Sequence, residues 1–159
     1  MEKEKIYQTI LKGLPSLIEG CDYVTTNCAN TAALLYDALP DLNWAGFYLM
    51  ADGALQLGPF CGKVACLRIP LSKGVCGAAA TAREILVVPD VHEFPGHIAC
   101  DSASNSEIVV PIIKNDILYG VLDIDSPIKK RFDETDRIYL EQVVSILCDG
   151  CAWEQYEMR

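Results

Sequence analysis

Apolar positions in this chain recur first at helical and then at strand spacing. Ile6, Ile10, Leu14 and Ile18 line one face up to Gly20, which predicts an N-terminal helix that Pro15 kinks or divides. Ala29, Ala33, Leu34 and Leu35 predict a second helix, ending before Pro40. Then the period shortens. Residues 43–49 and 54–57 flank Asp52-Gly53, the turn pair of a β-hairpin. A short strand is expected at 66–70. A helix capped by Ser72 should follow, running through 77–83, with another strand at 85–88.

Residues 89–106 keep neither period and hold two prolines, a glycine and both histidines. An irregular stretch of that length in a compact domain reads as an active-site loop. Strands follow at 107–113 and 118–125, joined at Lys114-Asn-Asp116. Asp133 caps a last amphipathic helix whose apolar positions are Ile138, Leu140, Val143, Val144 and Leu147. This order implies an α+β fold, an antiparallel sheet with the terminal helices packed together on it. A length of 159 residues fits one domain over 1–159 with a sizeable core.

Composition narrows the function classes. With 51% hydrophobic residues spread evenly, disorder is excluded, and the apolar runs are too short to span a bilayer. The start, Met-Glu-Lys-Glu-Lys, lacks the hydrophobic stretch of a secretory signal, so a cytosolic protein is expected. A net charge of −9 argues against nucleic acid and anionic membranes as partners. Eight cysteines in such a chain read as reduced or catalytic thiols rather than as a disulfide scaffold. Neither a phosphate-binding glycine loop nor a Gly-x-Ser-x-Gly element is present.

Candidate chemistry concentrates in Cys66, Cys76 and Cys100. All three sit in or beside glycine- and proline-marked segments, where turns expose side chains. Cys76 lies near a helix start, whose dipole favours a thiolate, whereas Cys100 has His97 nearby and Asp101 beside it. Local physics does not choose the nucleophile. Strand alternation puts Asp123 and Asp125 on one face, and Glu107 on the preceding strand can join them. Such carboxyls repel, retain a proton, hold an ammonium and protonate a departing oxygen. The plain alternative is that Asp125 organises the turn at Ser126-Pro127 and Asp123 faces solvent.

Trp44 and Tyr48 share a strand face with Gly46 between them, a pattern of core or of a pocket wall with space above the glycine. A metal site would need His92, His97 and Cys100, with Cys66 or Cys76. The only Cys-x-x-Cys, Cys148 to Cys151, falls in the last helix without a second such pair. No metal is therefore expected. His92 and His97 read as loop hydrogen-bonding residues, and Cys148 and Cys151 as helix-face residues.

The motifs together resemble the free methionine-(R)-sulfoxide reductases, which are catalytic GAF domains. The matching segments are Asn43-Trp-Ala-Gly-Phe-Tyr48, Leu57-Gly-Pro-Phe60, Gly62-Lys63, Ala65-Cys66, Arg68-Ile-Pro70 and Gly74-Val-Cys-Gly77. Further along come Asp90-Val-His92, Gly96-His-Ile-Ala-Cys-Asp101, Ala103-Ser-Asn-Ser-Glu-Ile108 and Gly120-Val-Leu-Asp-Ile-Asp-Ser126. Departures include Cys61, where relatives often carry glutamine, and Ser72, where glycine is frequent.

The resemblance implies a GAF-like six-stranded antiparallel sheet flanked by N- and C-terminal helices, with loops enclosing the site. It implies Cys100 as nucleophile, Cys66 as resolving thiol and Cys76 as an auxiliary in disulfide exchange. It makes Trp44 and Tyr48 pocket walls, and Glu107, Asp123 and Asp125 the substrate-binding and acid cluster. The implied substrate is free methionine-(R)-sulfoxide and the implied partner a thioredoxin-like reductant, with no cofactor and a homodimer through the terminal helices. Two rival classes are a ligand-binding GAF sensor and a peroxide-responsive thiol sensor. A ligand sensor would not need three loop thiols beside an acid cluster.

Overall fold

A computed structural model describes residues 1–97, 102–156 and 158. Six antiparallel strands form one sheet in the order β3-β2-β1-β6-β5-β4. They are β1 (Trp44–Ala51), β2 (Ala54–Gly62), β3 (Arg68–Ile69), β4 (Leu86–Val88), β5 (Ser106–Lys114) and β6 (Ile117–Ser126). Helices α1 (Glu2–Ile18), α2 (Val24–Ala38) and α4 (Glu134–Gly150) share a core with one face, and α3 (Gly74–Ala82) packs on the other. The α+β reading and the six-stranded antiparallel sheet hold.

Strand alternation sorts the two faces. Leu122 and Ile124 of β6, Ile108, Val110 and Ile112 of β5, and Ala45, Phe47 and Leu49 of β1 join the core under α1, α2 and α4. Val121, Val109, Trp44 and Tyr48 take the opposite parity and meet Val75, Cys76 and Ala79 of α3. The acidic positions of β5 and β6 fall on this second face. That sheet register is what builds the site.

The terminal helices pack together. Tyr7 stacks on Tyr139 with ring centroids 5.1 Å apart, and its hydroxyl donates to Asp136 at 2.6 Å. Asp136 is wholly buried, and Lys3 at 2.8 Å and Arg131 at 3.3 Å balance its charge. Asp133 caps α4 as expected, accepting from Thr135 and Asp136 in a capping box.

Three local expectations need correcting. Pro15 does not divide α1, which runs on through it to Ile18. Ser72 does not cap α3. The cap position is Lys73, and the helix opens at Gly74, whose φ of 66° favours a residue without a Cβ. The second strand of the hairpin continues to Gly62, beyond the four residues whose alternation marked it.

Candidate active site

Register across the central strands sets the cavity floor. Asp125 of β6 stands opposite Trp44 of β1 on one side and Glu107 of β5 on the other. One step along, Asp123 stands between Gly46 and Val109. Trp44, Tyr48, Cys76, Glu107, Asp123 and Asp125 all line one cavity, with Ala65, His97 and Ser104 completing its rim. Its volume is about 40 Å³, enough for about three ordered waters.

Asp123 and Glu107 are 5% and 7% exposed, so the solvated-face alternative for Asp123 fails. Burial raises the Glu107 carboxyl well above its ordinary value, and the charges of Asp123 and Asp125 raise it further. Burial also raises Asp123, opposed by hydrogen bonds with Glu107 and Cys76. Asp123 Oδ1 is buried without a hydrogen-bond partner, an acceptor poised for a ligand donor.

Cys76 lies in the first turn of α3, near a helix start as expected, but it is buried rather than exposed. It sits inside α3 with its thiol 3.9 Å from Glu107 Oε2 and is 3% exposed. Burial, then the charges of Asp123, Glu107 and Asp125, push this thiol up well above its ordinary value. The expectation of an exposed, dipole-activated thiolate at Cys76 is overturned, because desolvation beside carboxylates outweighs a helix N-terminus. One donor atom each from Cys76, Glu107 and Asp123 lies within 4.8 Å of the others, so these three could hold a cation. The sequence offers a different set, His92, His97 and Cys100 with Cys66 or Cys76. In it, His92 is instead engaged with Asn105 at 2.9 Å and with Asp90, the loop role expected of it.

The aromatic wall forms as the alternation predicts, but the space above Gly46 does not stay open. A Cβ at Gly46 would collide with Phe60 of β2 and meet Trp44 Cη2 at 2.8 Å. Trp44 stacks between Phe60 and Tyr48, at 5.2 and 5.8 Å. The wall also holds a loop. Trp44 Nε1 donates to the Lys63 carbonyl at 3.2 Å, and the Tyr48 hydroxyl donates to the Cys66 carbonyl at 2.9 Å.

Cys66 is half-buried and engaged in a disulfide, while Cys61 and Cys76 are free thiols. Cys100 lies outside the described residues. His97 and Ser104 line the cavity without having been assigned to it from sequence. Their signal was their place in the matching segments around residues 96–101 and 103–108.

The GAF domain family matches residues 4–149. The free methionine-R-sulfoxide reductase of Escherichia coli is 48% identical over 157 residues, covering 99% of this chain and 95% of the relative. The chain is an enzyme of the free methionine-R-sulfoxide reductase family. The family's Saccharomyces cerevisiae member is 42% identical, covering 97% of this chain and 90% of that one. A crystal structure of the Neisseria meningitidis reductase with its substrate matches with a TM-score of 0.93 and 41% identity, over 98% of this chain and 93% of that one. Among the described residues no helix is long and apolar enough to cross a membrane.

Proposed function

We propose that residues 1–159 act as one cytosolic catalytic domain that reduces free L-methionine-(R)-sulfoxide to L-methionine. The substrate ammonium and sulfoxide oxygen occupy the floor formed by Glu107, Asp123 and Asp125, and the methyl thioether end lies against Trp44 and Tyr48. Cys100 attacks the substrate sulfur while the carboxyl cluster delivers a proton to the oxygen. Methionine leaves and Cys100 keeps the oxygen as a sulfenic acid. Cys66 then condenses with it, releasing water and forming a disulfide, which a thioredoxin-type dithiol reduces. Each cycle moves two electrons from dithiol to sulfoxide and uses no organic cofactor.

The observation that carries this reading is the pair of buried carboxyls on the cavity floor, both raised by burial, with Asp123 Oδ1 left without a partner. A neutral carboxyl beside an oxygen makes the sulfoxide sulfur electrophilic, and the remaining carboxylate charge holds a free ammonium. A peptide-bound methionine has no such ammonium. The choice of Cys66 as resolving thiol is supported by its engagement in a disulfide while Cys61 and Cys76 remain free.

The test is a single turnover. Reduced protein is mixed with one equivalent of L-methionine-(R)-sulfoxide and no dithiol, then digested and mapped for disulfides. One methionine released per chain with a Cys66–Cys100 bond is the expected result. A different cysteine pair would overturn the thiol assignment, and no methionine would overturn the reaction.

A further inference from the structure

The face around Cys66 carries a group of exposed side chains, of which Val64 also lines the cavity while Lys63, Leu67 and Arg68 do not. Val64 is 87% exposed and Leu67 is 78% exposed. No other large hydrophobic residue among those described, the terminal Met1 excepted, is as exposed as these two. They straddle the disulfide-bonded Cys66. Lys63 and Arg68 flank them, both exposed, and neither is in an ion pair among the described residues. In a chain of net charge −9, a local cationic and apolar face stands out from its surroundings.

This segment is also held in place. Its main chain is pinned at three carbonyls, by Trp44 Nε1 to Lys63 at 3.2 Å, Tyr48 Oη to Cys66 at 2.9 Å and Leu57 N to Leu67 at 2.9 Å. Anchoring of that kind keeps Leu67 at the surface rather than folded into the core, and it presents Cys66 between its neighbours. A preformed rim lowers the ordering cost of an encounter.

We propose that residues 63–68 form the docking face for a dithiol protein, one that carries acidic side chains around an apolar rim at its reactive thiol. Its thiolate attacks the Cys66 sulfur. This rests on the reading that an external dithiol regenerates the enzyme. The incoming thiolate forms a bond to Cys66, and the existing bond of Cys66 breaks, releasing its partner sulfur (Cys100 in that reading) as a thiolate. The second thiol of the partner loses its proton and attacks the mixed disulfide, freeing the Cys66 thiolate. The partner ends as a disulfide having supplied two electrons, and two protons reach the two released thiolates.

Redox encounters bury little area, so two apolar side chains with a charged rim are of the right scale. A second copy of this chain is a poorer occupant. A two-fold contact through this face would set Lys63 and Arg68 against their own copies, between molecules of like net charge.

The experiment compares two reductants. Turnover of L-methionine-(R)-sulfoxide is driven by dithiothreitol or by a reduced bacterial thioredoxin of acidic surface, for wild type, Lys63→Glu/Arg68→Glu and Leu67→Ser. With thioredoxin, both variants are expected to need about tenfold more reductant for half-maximal rate, the scale of losing one or two interface contacts. Added salt should slow the wild type and speed the charge-reversal variant, whose repulsion from the acidic partner it screens. With dithiothreitol all three proteins should agree within about twofold, since none of these side chains lines the cavity. Equal losses with both reductants, or no loss with thioredoxin, would overturn the docking face. So would a wild-type dimer in sedimentation that Leu67→Ser dissociates, because a second copy would then occupy the face. Absence of wild-type turnover with dithiothreitol would instead count against the underlying reaction.

Discussion

Glu107 of β5 and Asp125 of β6 face each other directly across an antiparallel ladder, on the side of the sheet covered by α3. Like charges in that relation destabilise a sheet, so buried Glu107 facing half-buried Asp125 marks a site where a proton or a cation is needed. Replacing Glu107 by Gln keeps the shape and removes the titratable proton. We expect kcat to fall by about 100-fold or more, the usual share of a general acid, with the circular dichroism spectrum unchanged. Wild-type activity should decline as pH rises through the raised Glu107 value. A Glu107→Gln profile with the same alkaline limb would assign that limb to another group.

The same substitution makes a stability prediction of opposite sign. Burial and neighbouring charge raise Glu107 in the folded protein above its unfolded value. Between the two values the folded state binds more protons, so stability falls as pH rises through that window. Above it, Glu107→Gln should be more stable than wild type, with a thermal midpoint higher by about 3 °C for a gain of about 1 kcal/mol. Differential scanning calorimetry at pH 4 and pH 8 reads the difference, which should shrink at the lower pH.

Cys76 should be the slow thiol. Its burial and the carboxylates around it disfavour the thiolate. Iodoacetamide at pH 7.5 should label half-exposed Cys21 and Cys61 at least about 100-fold faster than Cys76, measured by peptide mass spectrometry of the folded protein. Rapid labelling of Cys76 would contradict its placement inside α3.

Gly46 should not tolerate a side chain. An alanine there meets Phe60 and the Trp44 ring, and the backbone of β1 is fixed by two neighbouring strands. Overpacking of this kind costs about 1–3 kcal/mol, read from urea denaturation. The displaced Trp44 should also raise KM, whereas a loss of stability alone would leave KM unchanged.

These cases show what the sequence made legible. Alternation in Val121-Leu-Asp-Ile-Asp125 placed both aspartates on one face, and the hairpin and last helix were marked by Asp52-Gly53 and Asp133. Spacing along the chain is local information, and it is reliable for parity and caps. What it missed depends on distant residues. Cys76 looks exposed from its glycine neighbours, yet β5 and β6 bury it. Gly46 looks like open space until Phe60, brought opposite by the hairpin register, fills it. Ser72 has the right chemistry for a cap one position too early, and Gly74 opens the helix instead. Residues 89–106 gave a loop but not which of its side chains would line the cavity, since His92 turns to Asn105 while His97 reaches the rim.

The most direct test of the account is steady-state formation of methionine from free L-methionine-(R)-sulfoxide with excess dithiothreitol, by wild type and by Cys100→Ser. The account predicts turnover by the wild type and a loss of at least about 1,000-fold in the variant, as expected on removing a nucleophile. No turnover by the wild type, or undiminished turnover by Cys100→Ser, would contradict it.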